Sequence, residues 1–371
     1  MKKNIDVIIL HEYGAHNHYA GLEYFLKSSE IYNKPQYKEF SITRRLLRGI
    51  KNKNGALILK TIKNFVWLLI SFLFPRTNKN KFVILGMAPL DWRVIYLARI
   101  LKYSTIIYHS SWIDWSGNNF PKNNSISKKL ITNKWKCFLS KRVSSIAAVT
   151  NKTADEIRAF LPGDSRNKIN VVYHAFDDVF LSNEIKFKTE DLHILFVGRL
   201  VRQKGIDKII ELSIRYPNCK FTFVGSGEHY RKILENERGN IHVEGYVESK
   251  SELARICSAN DIILLPSVKI NGWEELFGIS LIEAMATGCI PIVTDHMGPK
   301  EILNHSNELK QLIFSEEQFI NGASSILDRF YYDKTYLREM KQFSRNCAKN
   351  FSIKSISICW KNVFDIAKSN F

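Results

Sequence analysis

Between His193 and Asp295 short apolar runs alternate with helical patterns, and few folds accept that alternation. His193-Ile194-Leu195-Phe196-Val197 meets a glycine turn at Gly198, and Ile206, Ile209, Ile210 and Ser213 then recur at helical spacing. Lys220-Phe221-Thr222-Phe223-Val224 meets Gly225-Ser226-Gly227, and Ile241-His242-Val243-Glu244-Gly245 forms a third run and turn. Asp261-Ile262-Ile263-Leu264-Leu265 is a fourth. Strands separated by helices pair in parallel, with right-handed crossovers, so the fold class is α/β. A length of 371 residues suits two domains, each able to bury a core.

The fourth run leads into Trp273-Glu274-Glu275-Leu276-Phe277-Gly278-Ile279-Ser280-Leu281-Ile282-Glu283-Ala284-Met285-Ala286-Thr287-Gly288. Phe277-Gly278-Ile279-Ser280 reads as a tight turn opening a helix, and Gly288 as its stop. A helix start presents unpaired N–H groups and the positive end of its dipole, which suits an anion. Glu275 precedes the helix and Glu283 lies about two turns in, so they reach different parts of one ligand. Carboxylates accept hydrogen bonds from sugar hydroxyls. Upstream, Arg199 and Lys204 sit in the turn after the first run, where a guanidinium fork and an ammonium suit phosphate oxygens. No Asp-x-Asp pair is present, so these cations fit a metal-free site with no cofactor.

The Glu275–Glu283 spacing, with its Phe-Gly turn, resembles the Glu-x7-Glu signature of glycosyltransferase family 4, retaining enzymes of the GT-B fold. The likeness is strongest over residues 192–303. It implies two doubly wound Rossmann-like domains facing across a cleft. It implies a donor diphosphate on Arg199, Lys204 and the backbone of Phe277, Gly278, Ile279 and Ser280. Glu283 would then take ribose hydroxyls, Glu275 would hold the donor sugar, and the backbone of Gly245, Tyr246 and Val247 would meet the base. The donor would be a UDP- or GDP-sugar.

The formal net charge of +18 is unevenly spread. Residues 1–180 hold 29 Lys and Arg against 12 Asp and Glu, while residues 181–371 hold 25 against 24. The excess in the first half suits an anionic partner: a membrane surface, nucleic acid or a phosphorylated acceptor. Six scattered cysteines without a Cys-x-x-Cys pair fit a reducing, cytoplasmic setting. The apolar start at Ile5–Leu10 is short for a signal peptide and reads as a first strand.

After that strand comes His11-Glu12-Tyr13-Gly14-Ala15-His16, a loop that the resemblance places towards the acceptor. Gly14-Ala15 stands where the family carries a Gly-Gly pair. Thr105-Ile106-Ile107-Tyr108 is a strand ending at His109, and the resemblance brings that histidine to the transferred sugar. His174-Ala175 replaces the family's Asn-Gly, and no catalytic role is assigned to His174. The apolar run 65–74 is flanked by lysines and arginines. Taken by itself it is too short to cross a membrane. It is either a core helix or one lying in the membrane interface, and the charge split favours the interface. Residues 128–142 are basic with Trp135 and Phe138 interleaved, but no nucleic-acid recognition motif accompanies them.

The domains expected are 1–181 for the acceptor, 182–350 for the nucleotide sugar, and a helix over 351–371 crossing back, with a linker near 182–190. The function expected is retaining transfer of a sugar from a nucleoside-diphosphate sugar to a glycan or lipid-linked oligosaccharide. The setting expected is bacterial surface polysaccharide synthesis (O-antigen, capsule or lipopolysaccharide), at the inner face of the cytoplasmic membrane, without a transmembrane span. Alternatives are a GT-B sugar-nucleotide epimerase and a non-enzymatic nucleic-acid-binding protein. The epimerase leaves Arg199-x4-Lys204 without a purpose, and the nucleic-acid binder leaves the second half idle.

Overall fold

The computed structural model describes residues 4–13, 18–115, 128–182, 184–187, 191–270 and 272–369. Gly14 and Ala15, expected at the acceptor, and part of the expected linker lie outside them. The chain forms two compact units, Met1–His174 with Ile356–Phe371, and Ala175–Ser355. The first division falls at residues 174/175 rather than 181/182, and the second at 355/356 rather than 350/351.

The first unit holds a six-stranded parallel sheet of β1 (Val7–His11), β2 (Gln36–Glu39), β3 (Phe82–Gly86), β4 (Thr105–Ser110), β5 (Val143–Ala148) and β6 (Ile169–Val171), in the order β2-β1-β3-β4-β5-β6. Its central strands are buried throughout because helices cover both faces of a parallel sheet. The helix Ile353–Ser369 buries Trp360 and Phe364; the Phe364 ring stacks on Phe82 at 5.0 Å.

The basic stretch after residue 127 is the helix Lys128–Lys141, and its aromatics point inward. Trp135 is fully buried and its indole N–H donates to Asp91 O at 2.9 Å, while Phe138 joins the same core. The interleaved aromatics are therefore core residues and offer no stacking platform.

The apolar run 65–74 belongs to a longer element, the helix Gly55–Leu73, with Asn54 capping it by accepting from the Leu57 N–H at 2.9 Å. At 19 residues it is long and apolar enough to cross a membrane by length and composition. This corrects the sequence-based length, which stopped at Phe65 because Lys60, Lys63 and Asn64 interrupt the apolar run.

The second unit holds β7 (His193–Val197), β8 (Lys220–Val224), β9 (Ile241–Gly245), β10 (Ile262–Leu265), β11 (Ile290–Thr294) and β12 (Ile313–Phe314), all parallel, in the order β12-β11-β10-β7-β8-β9. A buried pair fastens this unit. Lys341 Nζ lies 2.7 Å from Asp261 Oδ1, and Asp261 Oδ2 accepts from the His193 N–H at 2.9 Å.

Candidate functional site

The strand order of the second sheet locates a crevice. The chain moves outward from β7 to β8 and β9, returns to β10 on the other side of β7, and continues to β11 and β12. The loops after β7 and β10 therefore leave in opposite senses. The opening between them is where open α/β sheets bind ligands.

Both loops carry the charges singled out in the sequence. Arg199 follows β7 and is exposed, with no ion pair or hydrogen bond to its side chain among the described residues. Lys204 ends a short 3-10 turn, Arg202–Lys204, and its ammonium pairs with the Glu275 carboxylate from the loop after β10. Both side chains are 12% exposed, so the pair sits in a recess that solvent still reaches. The Trp273 ring lies 5.6 Å from Lys204 Nζ, and Ser267 Oγ lies 3.5 Å from Glu275 Oε2.

Gly205 permits the close approach of the two loops. Its φ is +66°, and a Cβ there would stand 1.9 Å from Pro266 O. Any side chain would push the β7 loop off the β10 loop and part Lys204 from Glu275.

Glu275 is also held by its backbone. Its N–H donates to His296 Nδ1 at 3.1 Å, and its carbonyl accepts from the Gly298 N–H at 3.0 Å. His296 is fully buried, with Nε2 3.3 Å from Glu316 Oε1, and burial lowers its pKa. An accepting Nδ1 requires the proton on Nε2, facing that carboxylate. Glu274 is the neighbouring anchor, accepting from the Met297 N–H at 2.9 Å. The sequence reading missed His296. Its only local signal was a histidine just past an apolar strand.

The helix Ile279–Ala286 begins as the sequence implied, with Gly278 in the left-handed region at φ +101° as its N-cap. The first N–H groups of a helix have no intrahelical acceptor, so this start presents Ile279 and Ser280 donors. Ser280 Oγ is committed elsewhere, donating to Val197 O at 2.9 Å and tying the helix to the end of β7. The Phe277 side chain is buried, so it offers a ligand no side-chain contact.

Glu283 lies in the same helix, half-buried, with no hydrogen bond or ion pair to its carboxylate among the described residues. Burial pushes its pKa up to about 7, against a smaller opposing effect of Lys250. An unpartnered carboxylate poised between ionised and neutral forms favours a ligand that brings hydroxyl donors. Gly245 ends the edge strand β9, and Tyr246 beside it is 75% exposed.

His109 lies in the first unit, at the end of β4, and Glu275 in the second. His109 belongs to a histidine cluster that the sequence reading did not assemble. Its ring is 5.9 Å from His174; His174 is 4.4 Å from His18, which is 6.4 Å from His11. Tyr19 and Trp360 close over His109 at 5.0 and 5.7 Å. Burial, then the neighbouring His18, hold the pKa of His109 and of His174 well below the ordinary histidine value. These side chains gather because β1, β4 and β6 all end at the same edge of the sheet.

The model of the family glycosyl transferases group 1 matches residues 178–346, almost the whole second unit. The chain is a glycosyltransferase. The glycosyltransferase is 28% identical over 313 residues to an uncharacterized 41.2 kDa protein in the cps region of Klebsiella pneumoniae. That stretch is 76% of this chain and 83% of the relative. Two solved structures share its fold at 14% identity. HepE of Anabaena in complex with UDP has a TM-score of 0.65, over 97% of this chain and 100% of that one. The lipopolysaccharide outer core galactosyltransferase WaaB has a TM-score of 0.63, over 97% and 98%. The architecture of the two six-stranded parallel sheets is thus that of GT-B enzymes.

Proposed function

We propose that the enzyme moves a sugar from a nucleoside-diphosphate sugar to a lipid-linked glycan acceptor, with retention at the sugar carbon, in bacterial surface polysaccharide synthesis. The observation that carries this reading is the Lys204–Glu275 pair at the switch point of the second sheet, with Glu275 just ahead in the chain of a glycine-capped helix start. In this reading Arg199, Lys204 and the N–H groups at Gly278–Ser280 take the diphosphate. They stabilise the charge that grows on it as the bond to sugar breaks. Two cations then do what a divalent metal does elsewhere, so no metal or other cofactor is required.

Glu283 accepts from the ribose hydroxyls, the backbone at Gly245–Val247 meets the base, and Glu275 holds the donor sugar. In the first unit, His109 approaches the transferred sugar as a neutral imidazole, able to donate from one nitrogen and accept at the other. The relative in a cps region supports a capsule-type product, and the UDP bound to HepE supports a UDP-sugar donor. The basic first half and the mostly exposed apolar helix Gly55–Leu73 support an acceptor presented at the anionic inner face of the cytoplasmic membrane.

The test is transfer from radiolabelled UDP- and GDP-sugars to lipid extracts, with the anomeric configuration of the product read by NMR. A labelled lipid product that keeps the donor's configuration supports the proposal. Release of free or epimerised sugar without any acceptor contradicts it.

A further inference from the structure

The helix Gly55–Leu73 carries its polarity inside out. The residues turned into the protein include Thr61, Asn64 and Ser71, at 2, 4 and 1% exposure. Those turned outward include Phe65, Leu69 and Leu73, at 51, 47 and 54%. A helix on a water-facing surface shows the reverse. Apolar patches of this extent on a folded protein mark an interaction site.

A cavity of about 570 Å³ runs beside this face, within the size range of small-molecule sites. Its walls include Phe40, Phe65, Leu68, Leu69, Phe72 and Tyr96. At its polar end Arg93 bridges Asp91, after β3, to Glu12, after β1, with Arg93 Nη2 2.9 Å from Glu12 Oε1. These loops flank the switch point of the first sheet, because the order β2-β1-β3 reverses direction at β1. The cavity thus has a greasy wall along the helix and a polar end whose charges are paired with one another.

The chain along the helix side of it is rich in cations, while Glu12 and Asp91 line the opposite, polar end. Residues 40–90 contain ten Lys and Arg and no Asp or Glu. Of the ten, Arg45 and Lys60 pair with Glu39, while Arg44 lines the cavity with its guanidinium 3.1 Å from the Tyr13 hydroxyl. An apolar face ringed by cations complements an anionic bilayer.

We infer that this cavity takes one hydrocarbon chain of an anionic membrane lipid. The outer face of Gly55–Leu73 lies in the bilayer interface, and Arg44 with its neighbouring cations meets the headgroup. This deepens the lipid-acceptor reading above and rests on it.

Trp92 lines the cavity and is 46% exposed, so it reports occupancy. The probe is a short-chain phosphatidylglycerol brominated on its acyl chains, added to the full chain below its critical micelle concentration. The expected result is loss of emission in the wild type and its absence in Trp92→Phe, with non-brominated lipid as control. In parallel, the protein should float with phosphatidylglycerol vesicles at low salt, release as salt rises, and ignore phosphatidylcholine vesicles. Flotation without Trp92-dependent quenching overturns the chain site and leaves surface docking standing. No flotation, with self-association that Leu69→Lys abolishes, assigns the face to a second copy and overturns the lipid. Failure of every nucleotide to bind, with quenching intact, strikes the donor reading alone.

Discussion

Lys204 and Glu275, 71 residues apart in the chain, join the loops that leave β7 and β10. Without donor, the ammonium assigned to the diphosphate is held by the carboxylate assigned to the sugar. Donor phosphate must draw Lys204 away from that carboxylate. Glu275→Gln should therefore bind nucleoside diphosphate at least as tightly as the wild type while losing turnover by about 100-fold or more. Lys204→Ala should weaken binding as well as turnover. It should cost only about 1–2 kcal/mol of stability, because solvent reaches the pair. Titration calorimetry and steady-state kinetics on both variants check the split.

Glu283 should make stability and binding depend on pH near neutrality. Its folded pKa of about 7 exceeds the ordinary 4.5, so between those values the folded state holds more protons than the unfolded one. Stability from this group is thus fully present below pH 4.5 and lost as pH rises through 7. Glu283→Gln should melt like the wild type in acid and above it at pH 8, a pH at which the wild-type carboxylate is ionised. If ribose hydroxyls donate to the carboxylate, nucleotide binding should release a proton near pH 7 in the wild type and none in Glu283→Gln. Calorimetry in buffers of different ionisation enthalpy measures that proton.

The two glycines of the crevice should fail differently. At Gly278 the strain is conformational, since φ is +101° and a Cβ would meet nothing closer than 3.4 Å. Gly278→Ala should cost about 1–2 kcal/mol and disturb the helix start. At Gly205 the 1.9 Å approach to Pro266 O adds a backbone collision, so Gly205→Ala should melt markedly lower. Denaturant unfolding of the two variants gives the ranking, and equal losses would refute the close approach.

The histidine cluster should make the protein sensitive to mild acid. His18, His109 and His174 all have lowered pKa values, so below the ordinary 6.5 the unfolded chain takes up protons that the folded chain refuses. Their contribution is present above pH 6.5 and is lost as pH falls. His174→Asn should flatten the fall in melting temperature between pH 6.5 and 5, which are bounds set by the ordinary histidine value. An unchanged slope would mean that His174 is charged when folded.

Much of the second unit was legible because its signals are local. The run 193–197 is β7, 220–224 is β8, and the Phe-Gly turn opens a helix where expected. That Lys204 and His296 hold Glu275 was not legible, since they meet it only through the strand order. In the first unit the periodicity around residue 65 was broken by Lys60, Lys63 and Asn64. The inverted helix that includes them escaped a reading that expects polar residues outside. The basic run 128–142 shows no core face in sequence, and only the bond from the Trp135 indole to Asp91 O shows its aromatics as core. The histidine cluster needed three strand ends brought to one edge of the sheet, which no spacing along the chain records.

The most direct test is the melting temperature of the full chain with UDP, GDP and ADP, each with and without EDTA, in the wild type, Arg199→Ala and Lys204→Ala. Ligand that binds only the native state raises the melting temperature. The account predicts a rise with one diphosphate, unchanged by EDTA and lost in both variants. No rise with any of the three, or a rise that survives in both variants, would contradict the assignment of the crevice to the donor diphosphate.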